Sequence, residues 1–288
     1  MKIQNNETLE PTVSVIMNCY NGEKYLFESI NSLISQTYKN WELIFWDNLS
    51  TDNSRIILEK FSDQRIKYFS SEKFVNLYEA RNLAIEKAKG KYIGFLDTDD
   101  LWIKDKLEKQ IYFLEKNKEF KIVYSNYYIL EEKKNKRYLR HKTSLPSGFI
   151  TQELLSYYSI TILTAFLKKS IFEKFKFDNN YNVIGDFDFF INISQKFKIA
   201  SIEEPLASYR VHSSNFSTKR IKTYVRELSS WINFNEKKLS SYGYTLKEQR
   251  FFLTKLKIKS FFQGIKKFLS HINQKKFLSE KKHRLNLM

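Results

Sequence analysis

The sequence predicts an α/β protein in which a mostly parallel sheet is flanked by helices and followed by a basic helical C-terminal extension. Short apolar, β-branched runs alternate with longer amphipathic stretches from Pro11 onward, which is the pattern of strands and helices in such sheets. The composition, 42% hydrophobic and 28% charged residues, is typical of a chain that folds. With 7 Gly and 3 Pro in 288 residues, a turn-rich all-β fold is disfavoured.

Six apolar runs are predicted as strands, and the amphipathic stretches that follow them as helices. The predicted strands are residues 13–17, 43–46, 66–69, 92–96, 122–124 and 164–167. The predicted helices are residues 25–35, 52–61, 77–87, 102–117, 152–158 and 186–197. The charged stretch 131–142 interrupts the pattern, so we expect it to be an exposed excursion.

Cysteine content and hydropathy bear on the location of the protein. Cys19 is the only cysteine, so neither an intrachain disulfide nor a thiolate zinc cluster can form, which fits a reducing compartment. Residues 1–11 lack the features of a secretory signal, and no run approaches the roughly 20 apolar residues of a membrane span. We therefore expect a cytoplasmic protein, peripheral on the inner face of the cell membrane if its extension binds lipid.

The net charge of +17 is concentrated at the C-terminal end. Residues 219–288 hold 18 of the 49 Lys and Arg residues but 4 of the 32 acidic residues, so this segment carries +14. Phe251, Leu256 and Phe262 recur at helical spacing with lysines between them, which predicts a basic amphipathic helix. An anionic membrane surface suits such a helix, whereas packing on the rest of the chain or dimerisation are alternatives. Nucleic acid is a disfavoured partner because no nucleic-acid-binding motif accompanies the charge.

Polar side chains follow three of the predicted strands. The first strand is followed by Tyr20 and Asn21, the second by Asp47 and Asn48, and the fourth by Asp97, Asp99 and Asp100. The carboxyl ends of parallel strands meet at one edge, where ligands bind. Three carboxylates within four residues repel one another unless a cation neutralises them, and hard divalent cations prefer oxygen ligands. The alternatives are a helix N-cap for Asp100 and an ordinary strand-ending turn for Asp47 and Asn48.

Five longer segments follow one another along the chain. They read VSVIMNCYNGEKYLFESINSLISQTY, WELIFWDNLSTDNS, EARNLAIEKAKGKYIGFLDTDDLW, GDFDFFINI and YRVHSSNFS. Together they resemble the family 2 glycosyltransferases, enzymes of the GT-A (Rossmann-like) fold that use nucleotide-diphosphate sugars. The resemblance implies a GT-A domain at 1–218, with a nucleotide-sugar-binding half at 11–125 and an acceptor-binding half at 126–218. The extension at 219–288 lies outside it.

The resemblance implies a nucleotide-diphosphate sugar as donor, with UDP as the expected nucleotide. Its binding residues would be Tyr20, Asn21, Asp47, Asn48, Arg81, Asp97, Asp99, Arg210 and His212. Asn48 stands where the family usually has a uracil-contacting carboxylate, and Leu49 where it has a turn glycine. The Asn48 amide oxygen can still accept a hydrogen bond from a uracil N–H group. The alternative for Arg81 is an ion pair with Glu79 or Glu86.

The resemblance also implies a metal and a catalytic base. A divalent cation, Mn²⁺ or Mg²⁺, is expected on Asp99 and Asp100, where it would neutralise the departing nucleoside diphosphate. Asp186 is expected to take the proton of the acceptor hydroxyl, with inversion at the anomeric carbon. Gly185 replaces the acid that usually precedes this aspartate. The alternative is that Asp186 and Asp188 only favour a helix N-terminus through its dipole.

The sequence therefore predicts an inverting, metal-dependent glycosyltransferase of the hexosyltransferase type. The resemblance suggests a glycan or lipid-linked glycan as acceptor, in bacterial surface polysaccharide synthesis. Arg210 and His212 resemble an RxH element that approaches the diphosphate when a loop closes, and a structural role is the alternative for His212. A non-catalytic nucleotide-sugar-binding or membrane-recruited scaffold protein is the alternative function, motivated by Asn48, Leu49 and Gly185. A nucleotidyltransferase is disfavoured because no Gly-rich basic phosphate loop follows the first strand.

Overall fold

The computed structural model describes residues 10–213, 215, 220–263 and 265. The chain divides into two compact units, Met1–Asn215 and Phe216–Met288. The described part of the first unit contains the sheet, and that of the second is helical. The predicted domain at 1–218 and its division into halves at 11–125 and 126–218 stay predictions.

Nine strands and eight helices of at least one full turn are found in the described part of the chain. The strands are β1 (Val13–Cys19), β2 (Trp41–Asp47), β3 (Ile66–Ser70), β4 (Tyr92–Phe95), β5 (Leu101–Trp102), β6 (Ile122–Glu131), β7 (Lys136–Leu139), β8 (Phe166–Lys168) and β9 (Ile199–Val211). The helices are α1 (Glu23–Ile34), α2 (Ser54–Glu59), α3 (Leu77–Lys87), α4 (Lys106–Lys116), α5 (Thr151–Ser156), α6 (Gly185–Ser194), α7 (Ile221–Ser241) and α8 (247–263).

The strands form one sheet in the order β3-β2-β1-β4-β8-β6-β9-β5, and β7 pairs with the end of β6. The four strands β3, β2, β1 and β4 run parallel, with Val13 in register with both Trp41 and Tyr92. Beyond them β8 is antiparallel to its neighbours, whereas β6 and β9 are parallel to each other. The strand order reverses between β1 and β4, which is the position where open α/β sheets bind ligands.

The parallel strands β1, β2 and β4 are buried on both faces, whereas the edge strand β3 is partly exposed. Every residue of β2 is buried, and α1 turns Leu26, Ile30 and Leu33 toward the core at helical spacing. Near-continuous apolar strands of this kind are what a sheet covered by helices on both sides requires. The predicted α/β class with a mostly parallel sheet flanked by helices is confirmed.

Two details of the predicted elements are wrong. Trp102 was expected to open a helix, but it lies in β5 and pairs with Ala207 of β9. Its indole is buried and donates to the Leu163 carbonyl at 3.1 Å, so the helix starts only at Lys106. The long strand β9 was not predicted, because its solvent-exposed acids and Pro205 interrupt the apolar pattern that signals a strand.

The charged stretch after residue 131 is exposed, as predicted, and it forms a hairpin. A 3-10 turn at Glu132–Lys134 and Asn135, at φ 47°, reverse the chain so that β7 pairs with β6. Asparagine tolerates this left-handed conformation better than most residues, which suits it to the turn.

The second unit contains α7 and α8. The first helix turns Leu228, Trp231 and Ile232 to its buried side, and the second buries Leu253 and Leu256. Arg250 of α8 forms an ion pair with Glu236 of α7. None of the helices in the described ranges combines the length and the apolarity that crossing a bilayer demands.

Candidate active site at the carboxyl ends of the parallel strands

The ends of β1, β2 and β4 lie side by side at one edge of the sheet. Cys19 is in register with Asp47, and the Cys19 carbonyl accepts the Asn48 N–H at 2.8 Å. β4 pairs with β1 on its other side. The loops that begin at Tyr20, Asn48 and Asp97 therefore start from the same edge, where the strand order reverses.

Asn48 holds the segment that precedes α3 through a two-point contact. Its Nδ2 donates to the Val75 carbonyl at 2.7 Å, and its Oδ1 accepts the Val75 N–H at 3.2 Å. Beside it, the Asp47 carboxylate accepts the Ser50 N–H at 2.8 Å and the Tyr68 hydroxyl at 3.0 Å. Both buried side chains thus have structural partners, and their contact with a nucleobase stays a prediction.

Two loop residues at this edge have left-handed backbone. Asn21 has φ 54° and its Oδ1 accepts the Thr51 N–H at 2.7 Å. Leu49 has φ 65°, a conformation that costs a residue with a Cβ about 1 to 2 kcal/mol and that glycine adopts freely. Leu49 therefore keeps a glycine-type turn under strain.

An exposed aromatic pair flanks the same edge. The rings of Tyr20 and Phe74 meet edge to face, with their centroids 4.8 Å apart, and both are largely exposed. Exposed rings beside polar strand ends offer an apolar face on which a planar base can stack. Phe74 was not among the predicted site residues, since only its position next to Tyr20 in the fold draws attention to it.

Arg81 is buried on α3 and pairs with the aspartate segment. Its Nη2 lies 3.2 Å from Asp97 Oδ1. Burial opposes the charged guanidinium, yet the Asp97 carboxylate raises the pKa of Arg81 above its usual value. The alternative partner Glu86 is engaged elsewhere, with its Oε1 3.0 Å from Lys176 Nζ.

Asp99 faces the end of β9. Its Oδ2 lies 2.9 Å from His212 Nε2 and 3.5 Å from Asn215 Nδ2. Burial, followed by repulsion from Asp97, raises the pKa of the Asp99 carboxyl. The His212 ring also packs against the Tyr25 ring, with the centroids 4.8 Å apart.

Asp100 and Arg210 join the aspartate segment to β9. Asp100 is 1% exposed, and its Oδ1 accepts the Arg210 backbone N–H at 2.9 Å. The Arg210 guanidinium donates through Nε to the Asp99 carbonyl at 2.9 Å and through Nη2 to Glu28 at 2.6 Å. In this geometry Asp100 holds β9 and does not face solvent, so its metal-binding role stays a prediction.

Asp186 lies in the first turn of α6. Its Oδ1 accepts the Phe187 N–H at 2.9 Å and lies 3.3 Å from the Tyr78 hydroxyl of α3. Burial raises the pKa of the Asp186 carboxyl, and the nearby Arg81 guanidinium offsets part of that rise. A raised pKa makes a carboxylate a stronger base, which suits proton abstraction near neutral pH.

The aspartate segment fits a divalent cation in its chemistry. Asp97 and Asp99 are partly exposed carboxylates. Mg²⁺ typically takes one or two carboxylates and completes its shell with phosphates and water. Accordingly, the described residues contain no cluster of three or more His, Cys, Asp or Glu side chains that would enclose an ion.

A groove of about 290 Å³ lies beside His212. The β6–β7 turn and the end of β9 form its walls, and its lining residues are Glu131, Lys133, Lys134, Val211, His212 and Ser213. Of its two lysines, Lys134 is ion-paired with Glu131, with Nζ 2.7 Å from Oε2.

Some of the predicted site residues form a connected network around the aspartate segment, whereas Tyr20, Asn21, Asp47 and Asn48 have their contacts in the neighbouring loops. Asp97 meets Arg81, Asp99 meets His212, and Asp100 meets the Arg210 backbone. Contacts that the sequence did not reveal come from three further residues, Tyr78, Glu28 and Asn215. Asn215 lies within the segment YRVHSSNFS, which was a usable signal, whereas Tyr78 and Glu28 are ordinary helix residues by their pattern.

Comparison with known proteins finds a family profile and named relatives that match most of the chain. The profile of glycosyl transferase family 2 matches residues 14–191. An Escherichia coli protein named UDP-Glc:alpha-D-GlcNAc-diphosphoundecaprenol beta-1,3-glucosyltransferase WfgD is 34% identical over 236 residues, which are 81% of this chain and 90% of the relative. The E. coli protein WfaP, which carries the same activity name, is 33% identical over 216 residues, 75% of this chain and 83% of the relative.

Solved structures share the fold at low sequence identity. A crystal structure of S. aureus TarS 1–349 in complex with UDP-GlcNAc has a TM-score of 0.61 at 17% identity and covers 77% of this chain and 67% of that chain. The mannosyltransferase PcManGT from Pyrobaculum calidifontis, in complex with GDP-Man and Mn²⁺, has a TM-score of 0.57 at 17% identity and covers 78% and 65%. The fold is therefore that of the GT-A glycosyltransferases. The chain belongs to glycosyl transferase family 2.

Proposed function

We propose that this protein is an inverting glycosyltransferase that transfers a hexose from a UDP sugar to a hydroxyl of a lipid-linked glycan, in bacterial surface polysaccharide synthesis. The observation that carries the proposal is the connected network around the aspartate segment, with Arg81 on one side and His212 on the other. Asp186 joins the same network through Tyr78. These are the groups that a nucleotide-sugar enzyme needs: cations and amides for a diphosphate, and a base for an acceptor.

The donor is proposed to lie along the edge formed by β1, β2 and β4. Tyr20 and Phe74 would receive the base on an apolar face, with Asn21, Asp47 and Asn48 forming the loops around it. Arg81 and Asp97 would meet the ribose and diphosphate, because a buried guanidinium is a strong partner for phosphate oxygens. UDP is favoured as the nucleotide because both named E. coli relatives use UDP-Glc by their names.

Asp99 is the ligand we favour for a divalent cation, Mn²⁺ or Mg²⁺, with Asp100 as the predicted second ligand. When bound, such an ion supplies charge neutralisation for the departing diphosphate. His212 and Asn215 hold the Asp99 carboxylate in place, and the Arg210 side chain holds the Asp99 carbonyl.

Asp186 is proposed as the general base in a single displacement. Its carboxylate takes the proton of the acceptor hydroxyl while that oxygen forms a bond to the anomeric carbon. The bond between the anomeric carbon and the diphosphate oxygen breaks at the same time, and UDP leaves with the bonding electrons. Attack opposite the leaving group inverts the anomeric configuration, and positioning contributes most of the rate.

The acceptor is proposed to carry a diphosphate on a lipid. Both E. coli relatives act, by their names, on a GlcNAc-diphosphoundecaprenol acceptor. The groove beside His212 is lined by Lys133, whose charge complements a diphosphate group, and by the ion pair of Lys134 with Glu131. A lipid-linked acceptor would be reached at a membrane surface, and the cytoplasmic face is the location that we propose.

Ligand-dependent unfolding tests the donor site without an acceptor. We expect one UDP sugar from a panel to raise the unfolding temperature in the presence of Mn²⁺, since a ligand that binds only the folded state stabilises it. Asp99→Ala should remove the metal-dependent part of this shift, whereas Asp178→Ala, at a half-buried loop aspartate outside the network, should leave it unchanged. Absence of any shift with every nucleotide would contradict the proposal.

Substitutions of the two aspartates in the first turn of α6 distinguish a catalytic role from stabilisation of the helix. Asp186→Asn should lower the transfer rate to a GlcNAc-diphospholipid analogue by at least about 100-fold, the usual contribution of a general base. Asp188→Asn is the matched control, because both residues would serve the helix dipole equally. Equal effects of the two changes would refute the base assignment. Donor binding with no turnover in the parent would instead support the non-catalytic alternative.

A further inference from the structure

Helix α8 carries apolar residues on two opposite sides. Leu253 and Leu256 lie on its buried side. Phe251, Ile258 and Phe262 form a second line, here called the exposed line, whose members are 57%, 53% and 62% exposed. Residues i, i+7 and i+11 share one helix face, and successive residues are about 100° apart, so the exposed line lies opposite the buried side. Phe251, Leu256 and Phe262, which the sequence analysis grouped as one apolar pattern, therefore lie on two different sides of the helix.

Lysines accompany the exposed line. Lys255 and Lys259 lie on its flank by helical spacing, and Lys255 Nζ is 4.2 Å from the centre of the Phe251 ring. The acid Glu236 of α7 is paired with Arg250, away from these lysines. It costs free energy to leave a row of large apolar side chains in water. Such a row with cations on its flank complements a lipid surface, which has anionic head groups above apolar acyl chains.

We propose that α8 docks this protein on an anionic lipid bilayer surface, with the exposed line at the boundary of the acyl chains and Lys255 and Lys259 at the lipid phosphates. This inference does not depend on the enzymatic activity. Each lysine near an anionic leaflet contributes about 1 kcal/mol, and apolar insertion adds to it.

Vesicle co-sedimentation of the full chain tests the docking. Phosphatidylcholine vesicles with and without phosphatidylglycerol serve as the lipid surfaces, at low salt. We expect binding only to the anionic vesicles, a loss of at least about 100-fold in the triple change Phe251→Asn, Ile258→Asn, Phe262→Asn, and a loss of about 30-fold in the pair Lys255→Gln, Lys259→Gln. Circular dichroism checks that the variants stay folded.

A matched control removes the same amount of exposed apolar surface elsewhere. Ile56, Tyr112 and Phe149 of the first unit are 57%, 65% and 63% exposed, and their joint change to Asn should leave vesicle binding intact. Unchanged binding by the exposed-line variant would overturn the proposal. So would a parent dimer in light scattering that this variant converts to a monomer, or binding of the parent to duplex DNA but not to vesicles.

A second inference concerns Gly185, and it rests on the proposed function. A Cβ built on Gly185 would lie 2.6 Å from the ring of Tyr78, closer than real Cβ atoms approach. Tyr78 therefore occupies the space that a side chain at position 185 would need. Its buried hydroxyl lies 3.0 Å from the Val183 carbonyl and 3.3 Å from Asp186 Oδ1, so a single proton serves two acceptors.

The geometry points to Tyr78 as the positioning residue of the proposed base Asp186, in the space that Gly185 leaves open. The hydroxyl donates to the carboxylate when Asp186 is ionised and to the Val183 carbonyl when it is not. The charged guanidinium of Arg81, also on α3, lies near Asp186 as well. The glycine at 185 and the tyrosine at 78 thus belong together, although 107 positions separate them.

The pH dependence of transfer distinguishes positioning from simple stability. Tyr78→Phe keeps the ring and removes the donor to the charged carboxylate, so the acidic limb of the kcat/KM profile should move to higher pH with the donor KM unchanged. Tyr92→Phe is the control, since Tyr92 begins β4, at the end of the strand opposite the site, and its hydroxyl bonds Glu115 of α4. Gly185→Ala should lower kcat about 10-fold or more by displacing the ring, with donor binding retained.

The outcomes separate this inference from the proposed function. An unshifted profile in Tyr78→Phe, together with an inactive Asp186→Asn, overturns the role of Tyr78 and leaves the function standing. Full activity in Asp186→Asn overturns both. A lower rate in Tyr78→Phe with the profile in place would also overturn the positioning role, because a general loss of stability gives that result.

Discussion

Replacing Asn48 by the aspartate that the family usually carries there is expected to destabilise this protein and not to improve nucleotide binding. Asn48 Nδ2 donates to the Val75 carbonyl at 2.7 Å, and both residues are buried. A carboxylate oxygen in the position of Nδ2 removes the donor and sets two negatively polarised oxygens against each other. The accepting half of the contact, from the Val75 N–H, remains.

The loss can be sized from this contact. A buried carbonyl without its donor costs about 1 to 3 kcal/mol, and more where a charge is involved, so Asn48→Asp should lower the free energy of unfolding by about 3 kcal/mol at pH 7.5. For a unit of roughly 200 residues this corresponds to a drop of about 6 to 12 °C in Tm.

The assay is thermal unfolding at several pH values. A protonated carboxyl can donate to the Val75 carbonyl, so the folded state raises the pKa of the new carboxyl above its unfolded value of about 3.9. Stability from such a group is present at low pH and is lost as pH rises through the folded pKa, so the deficit should shrink toward pH 4.5. Asn31→Asp, a half-exposed position on α1, controls for the added charge. A deficit below about 1 kcal/mol at pH 7.5 would refute the reasoning.

Two further predictions concern stability. Leu49→Gly should raise the free energy of unfolding by about 1 kcal/mol, because it relieves the left-handed strain at φ 65°, and a urea titration that shows a loss would contradict this. Lys106 is fully buried, and burial lowers the pKa of its ammonium well below the usual value. Between that pKa and about 10.4 the unfolded chain binds a proton that the folded chain does not, so the parent gains stability as pH rises. The Tm of Lys106→Met relative to the parent should therefore fall from pH 7 to pH 10, and a constant difference would count against the buried neutral lysine.

The departures from the family pattern differ in what they change. Leu49 keeps the left-handed backbone of a glycine turn. Asn48 has an amide in place of the usual carboxylate, and this amide forms hydrogen bonds with the Val75 backbone. Gly185 makes room for the Tyr78 ring. Asn48 and Gly185 thus each have a partner in the surrounding structure, and Leu49 keeps the backbone of the turn, so none of them by itself is an argument for a lost activity.

The sequence was sufficient to predict which residues lie at the edge of the sheet, but not which residues they contact. Strand ends are local features, and the rule that parallel strands end at one edge was sufficient to bring Asp47 and Asp97 to the same place. The ion-pair partner of Arg81 could not be predicted in this way, because Glu79 and Glu86 are closer to Arg81 along the chain than Asp97 is. The packing of α3 against the sheet brings Arg81 next to Asp97, which is its ion-pair partner in the structure.

What the sequence determined by itself is the alternation of strands and helices, the position of the polar residues after strands, and the membership of a family. These follow from periodicity and short motifs, which act over a few residues. Only the tertiary structure decided that Asp100 holds the Arg210 N–H, that Tyr78 fills the space at Gly185, and that α8 has two apolar sides. The physical reason is that such contacts join groups about 100 residues apart or depend on which helix face is covered, and packing alone decides both.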